Sequence, residues 1–157
     1  MLFLKIAGSA LILSAALYAS VAVGAYERKA LEVLEGFWRL INYTKNRIDL
    51  YCAPRETIMK SAAKESDLGL DILPDESFYE LVSRCGAYLD PKAKKELLSF
   101  DSELGEAYRD EQIKKCDYYA SLIDSFRRET QEKLPGKIKM DRTLIMSLSI
   151  GIILVLW

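Results

Sequence analysis

Apolar residues run almost unbroken from Leu2 to Ala25 and again from Leu144 to Trp157, while nearly all the charge falls between Glu27 and Arg142. The first run carries a single charge, Lys5, near enough to its end to snorkel, and it is long enough to span a bilayer as a helix. Gly8, Ala15, Ser20 and Gly24 place small residues along it, which permits close helix packing in lipid. The second run carries no charge and is shorter. At about 1.5 Å per residue it covers roughly 21 Å of a hydrocarbon core of about 30 Å. A thinned bilayer, a neighbouring helix, or Trp157 held at the far interface would accommodate it as a span, and a half-inserted anchor is the alternative.

Between these ends the periodicity is helical. Leu31, Leu34, Trp38, Ile41, Ile48 and Tyr51 fall at steps of three, four and seven, the stripe of an amphipathic helix that continues out of the first apolar run. Pro54 ends it and opens a second helix through Ile58, Met59 and Ala62 toward Glu65. The segment from Ser66 to Pro74 reads as a loop. Asp75 is then placed to cap a helix through Phe78, Leu81 and Val82 toward Gly86. Asp90 and Pro91 start a further helix with Leu97, Leu98 and Phe100 on its apolar side. The longest polar-rich helix is expected from Arg109 to Leu134, burying Ile113, Cys116, Ala120, Leu122, Ile123 and Phe126, with Pro135 and Gly136 separating it from the last apolar run. No alternating run is long enough for a strand. The expected fold is therefore all-α: a bundle of about five helices over residues 26–139, flanked by transmembrane helices at 1–25 and 140–157.

Charge placement sets the expected topology. Arg28 and Lys29 follow the first run, while Lys133, Lys137, Lys139 and Arg142 precede the second, so both basic flanks belong to the central domain. By the positive-inside rule that domain is cytoplasmic and both termini lie across the membrane. A cleaved signal peptide is the rival reading of the N-terminus, with small residues near Ala22, Gly24 and Ala25. The immediate Arg28 and Lys29 and the length of the run oppose it. The 22 basic and 23 acidic residues nearly balance, so charge gives no pull toward nucleic acid.

Histidine is absent, which removes the usual imidazole base, the Ser and Cys triads and most zinc sites. Cys52, Cys85 and Cys116 are widely spaced and odd in number, which fits small buried apolar residues in a reducing compartment. The acidic groups Asp71, Asp75 and Glu76, then Asp101, Glu103 and Glu106, then Asp110 and Glu111 read as caps and dipole partners at helix starts. No GxxxxGK[ST] or GxGxxG motif is present. No enzymatic activity, cofactor, metal or small-molecule substrate is expected. Lys92, Lys94 and Lys95 form a solvated basic face, and Tyr118 and Tyr119 read as packing residues.

The arrangement resembles the stage III sporulation protein AB family of endospore-forming bacteria, whose cytoplasmic part looks like the helical domain of type II secretion F platform proteins. The resemblance covers nearly the whole chain. It rests on an aromatic before a proline at the end of the first cytoplasmic helix, here Tyr51 and Pro54, followed by Arg55 and Glu56. Its second mark is the pair Leu104 and Gly105 leading through Tyr108, Arg109, Asp110 and Glu111 to Gln112. Ala53 and Arg55 depart from the Thr and Leu common in that family. The resemblance implies a mother-cell membrane component of the channel complex facing the forespore. Its bundle would dock a secretion-type ATPase of the same operon, beside other sporulation channel membrane subunits. It would couple or position that motor mechanically. Lys92, Lys94, Lys95 and the loop at Gly105 are the expected docking contacts. The alternatives are a generic platform subunit of a pilus or secretion machine, and an exported protein with a signal peptide and a tail anchor.

Overall fold

The computed structural model describes the backbone of residues 2–106 and 108–156, with side chains for 5–106 and 108–155. The interface role expected of Trp157 lies outside the described residues. Five α-helices follow one another: α1 (Leu2–Tyr51), α2 (Arg55–Ala62), α3 (Phe78–Cys85), α4 (Pro91–Glu103) and α5 (Arg109–Leu156). No strand occurs among the described residues. The five helices include both apolar ends, because the first and last helices each continue into a terminal run. Short 3-10 turns at Ser66–Leu68 and Gly86–Tyr88 complete the connections.

Local chemistry accounts for each boundary. The end of α1 is closed by Cys52, whose left-handed backbone (φ 47°) lets its N–H donate to the Ile48 carbonyl at 3.0 Å. Pro54 then serves as the residue before α2, not within its first turn, and supplies no side-chain cap. The cap of α3 is Ser77 instead of the expected Asp75. Ser77 and Glu80 form a reciprocal capping box, while Asp75 sits left-handed (φ 62°) and pairs with Lys60 at 3.3 Å. Asp90 caps α4 as expected, accepting from the Lys92 N–H at 2.8 Å with Pro91 in the first turn.

Helix α5 does not stop at Leu134, and Pro135 lies inside it. A proline there lacks one backbone donor and crowds the carbonyl a turn earlier, at a cost of about 3 kcal/mol in an ordinary helix interior.

The chain divides into two compact units, Ala30–Thr130 and Met1–Lys29 with Gln131–Trp157. The core of the first unit contains Val33, Leu34, Phe37, Leu40, Ile41 and Ile48 of α1, Phe78, Leu81 and Val82 of α3, Leu97 and Phe100 of α4, and Cys116, Tyr119 and Ile123 of α5. The buried stripe of α1 is thus centred on Phe37 and Leu40. Leu31 and Trp38 lie at its margins, and Tyr51 is 66% exposed. Gly36 belongs to this face because Leu70 packs over it: an added Cβ would lie 2.5 Å from the Leu70 Cγ.

In the second unit the buried positions of α1 are Ala16, Ser20, Gly24 and Glu27, close to one per turn on one face. Ala15 is exposed, so the small-residue stripe runs through Ala16 in its place. A Cβ on Gly24 would touch Ile138 and the Arg142 guanidinium at 3.9 and 3.4 Å, and Lys137 pairs with Glu27 at 2.8 Å. Leu11, Tyr18, Val21, Leu148, Leu154 and Val155 face outward. Among the described residues, α1 alone contains a stretch long and apolar enough to cross a membrane, and little of that stretch is buried.

Candidate functional site

The motif residues separated in sequence meet in one place. Pro54, Leu104, Gly105 and Gln112 line a groove of about 580 Å³ together with Ile48, Cys52, Ala53, Arg55, Glu56, Ile58, Ser102, Glu106 and Arg109. Four helix ends build it: the last turn of α1, the first of α2, the last of α4 and the first of α5. Gly105 forms an open part of the wall, with a backbone (φ 97°) that residues bearing a Cβ rarely adopt, and a Cβ added there would meet nothing within 4 Å. Tyr51 is not among the lining residues. It stands exposed at the end of α1, with the Arg47 guanidinium 5.5 Å from its ring centre.

Two ion pairs between residues far apart in sequence brace the groove. Arg55 donates to the Asp101 carboxylate, and also to the Asp101 carbonyl at 3.1 Å. Arg109 donates to the Asp49 carbonyl at 2.7 Å and pairs with the same residue's carboxylate. Asp101 is therefore not a cap at a helix start. It lies buried in the last turns of α4, where the dipole disfavours a carboxylate, and Arg55 compensates it. Sequence gave no hint of this pair, since Arg55 and Asp101 stand 46 positions apart. Next to Leu104, Tyr119 donates to Glu103 at 2.9 Å and Lys115 approaches the same carboxylate at 3.3 Å. These contacts lower the Glu103 pKa, the Tyr119 hydrogen bond first, while burial and then Glu103 raise that of Tyr119.

The expected docking lysines divide. Lys92 and Lys95 are exposed on the first turns of α4, whereas Lys94 is half-buried. A Cβ on Gly86 would lie 2.8 Å from the Lys94 Nζ, so this side chain lies along the turn at Gly86. Lys94 and Lys95 line a shallow hollow with Pro91, Leu98, Ser99 and Ser102, and Ser102 also borders the groove. Gly105 therefore belongs to the groove, beyond the other end of α4 from the lysines.

The cysteines differ from one another. Cys116 is fully buried, and burial pushes its thiol up to about 11; Cys85 is half-buried; Cys52 is exposed, unlike the apolar packing expected of all three. Tyr119 packs in the core as expected, and Tyr118 stands 62% exposed with its ring edge-on to Tyr119 at 5.1 Å. No cluster of potential metal ligands occurs among the described residues.

The fold is thus that of an all-helical protein with an apolar helix fit to cross a membrane. Its family follows from comparison with known proteins: the chain belongs to the stage III sporulation protein AB family, whose family model matches residues 5–157. No curated protein matched. No solved structure matched either.

Proposed function

We propose that this chain is a non-enzymatic membrane component of a sporulation channel complex, in which the bundle is cytoplasmic and docks a secretion-type ATPase. Family membership supports the sporulation role. The observation that carries the membrane role is the outward display of large apolar side chains in the terminal unit, from Leu11 and Tyr18 to Leu154 and Val155. Water-soluble surfaces seldom carry so continuous an apolar face, and lipid accommodates it. On this reading both terminal runs insert in the membrane and both termini lie on the far side, because Arg28, Lys29, Lys133, Lys137, Lys139 and Arg142 mark the cytoplasmic flank. Exposed Lys92 and Lys95 supply the contact to an acidic surface of the ATPase. Helices α1 and α5 run unbroken from the apolar segments into the bundle, which suits a part that positions a motor.

Two measurements test this. In intact cells a membrane-impermeant maleimide should leave Cys52 unmodified and label it after permeabilisation. Labelling without permeabilisation would place the bundle outside, as the exported alternative requires. Replacing Lys92 and Lys95 together by Glu should lower co-purification of the ATPase about tenfold, and unchanged recovery would remove this face from docking.

A further inference from the structure

We propose that the groove at the junction of α1, α2, α4 and α5 receives a basic, amphipathic segment of a partner protein, separately from the lysine face of α4. Its lining mixes apolar and polar surface, with Ala53, Pro54 and Leu104 on the apolar side and Ile48 and Ile58 buried behind them. Its volume of about 580 Å³ lies in the range of sites that take several side chains of a ligand. The charges around it are not balanced. Both guanidiniums in the lining are engaged, Arg55 by Asp101 and Arg109 by Asp49. Glu56 and Glu106 also line the groove, and neither has an ion-pair or hydrogen-bond partner among the described residues. The site thus offers a small apolar patch at Ala53, Pro54 and Leu104 beside two carboxylates that no described residue pairs.

That combination selects the occupant. An anionic ligand would meet the two carboxylates and find both arginines already neutralised. An uncharged apolar segment would leave the carboxylates facing its backbone. A segment with Lys or Arg flanking an apolar anchor satisfies both features, with the anchor on the patch and the cations over Glu56 and Glu106. At Gly105 the groove wall is open, since an added Cβ would meet nothing within 4 Å. This surface is opposite in sign to the Lys92 and Lys95 face, so one domain can hold two partners, or two parts of one partner, at the two ends of α4.

The test uses the full-length chain in phosphatidylcholine nanodiscs and a fluorescein-labelled Leu/Lys amphipathic peptide, with a Leu/Glu peptide of the same apolar pattern beside it. Anisotropy should report binding of the Leu/Lys peptide alone. Replacing Glu56 and Glu106 together by Gln should weaken it about tenfold, and Ser102→Trp, which fills the groove without altering charge, should weaken it at least as much. Lys92→Glu with Lys95→Glu should leave it unchanged. Equal binding of the acidic peptide, or wild-type affinity in either groove variant, would overturn the proposal. Self-association of the wild-type chain that the Gln variant abolishes would overturn it too, by making a second copy the occupant. No ATPase is present in this assay, so its failure leaves docking at the lysine face standing, and the reverse also holds.

Discussion

In the unit from Ala30 to Thr130 the interior is filled by large rings. Phe37, Phe78, Phe100 and Tyr119 form an edge-to-face chain with centroids 5.8, 5.4 and 5.4 Å apart. In the unit of Met1–Lys29 with Gln131–Trp157 the buried positions are Ala16, Ser20, Gly24, Glu27 and Ser149, while large side chains such as Leu11, Leu17, Tyr18, Leu148 and Leu154 are exposed and others such as Ile12, Val23, Ile138 and Ile145 are half-buried. Water drives apolar area inward, so the first unit gains by burying its bulkiest residues. In lipid that drive vanishes between helices, and close contact of small surfaces is what remains to hold two helices together. On the proposed membrane reading the same chain follows two opposite packing rules, with the boundary near the Arg28 and Lys29 flank.

The largest expected contrast comes from truncating one bulky residue in each unit. Phe100→Ala should cost the bundle about 3–5 kcal/mol, because it empties the centre of the aromatic chain. Leu17→Ala, at a position 58% exposed in the terminal unit, should change stability by less than about 0.5 kcal/mol. Urea unfolding followed by Trp38 fluorescence in a Trp157→Phe background reads the first, and a thermal melt of the full chain in detergent reads both. Comparable losses at the two sites would mean that the terminal unit also packs its large residues against protein.

Glycine gives a finer comparison. At Gly36 a methyl group would strike Leu70 and stand 3.2 Å from the Leu68 carbonyl, so Gly36→Ala should cost about 1–3 kcal/mol despite the better helix propensity of Ala. At Gly24 the same methyl group would make ordinary contacts at 3.4 and 3.9 Å, and Gly24→Ala should be neutral or slightly stabilising. Thermal melts of the two variants decide it. A stable Gly36→Ala would show that the loop at Leu68–Leu70 yields.

Periodicity and punctuation made the helix count and most boundaries legible, since Asp90 with Pro91 is a start signal wherever it occurs in a chain. They failed where tertiary contact decides. Nothing local distinguishes Phe37 and Leu40 from Leu31 and Trp38 as the centre of the α1 stripe, because the partner helices α3 and α4 choose the face. The Ser77 and Glu80 capping box was readable from spacing, and the acidic Asp75 nearby masked it. Pro135 reads as a helix end by its covalent chemistry alone, and yet α5 passes through it. For the groove, spacing brought Pro54 and the Leu104–Gly105 pair forward as turn residues. The pairs of Arg55 with Asp101 and Arg109 with Asp49 join distant positions, and no local pattern announces such pairings.

A smaller effect, confined to the bundle, concerns acid. The Glu76 carboxyl is held below the ordinary carboxylate range, chiefly by the Arg84 guanidinium at 2.8 Å and also by the Leu73 N–H. A depressed folded-state pKa contributes stability that is present above the unfolded value of about 4.3 and is lost as pH falls through the folded one. Lowering the pH below about 4 should therefore weaken the bundle, and Glu76→Gln should flatten part of that dependence while lowering stability at neutral pH. Melting temperature against pH for the two proteins measures it. Parallel curves would show that Glu76 titrates alike in the folded and unfolded chains.

The smallest expected effect has the opposite sign. Cys52 closes α1 in a left-handed conformation, which costs a residue with a Cβ about 1–2 kcal/mol and costs glycine almost nothing. Cys52→Gly should stabilise the bundle by about 0.5–1 kcal/mol after the extra freedom of glycine in the unfolded chain is counted. Cys52→Ala keeps the Cβ and removes the exposed thiol, so it should leave stability within about 0.5 kcal/mol of the wild type. Urea midpoints of the two variants separate backbone from thiol. If Ala and Gly stabilise equally, the left-handed turn carries no strain; if both destabilise, the Cys52 thiol makes a contact that holds the groove wall, and its exposure understates its role.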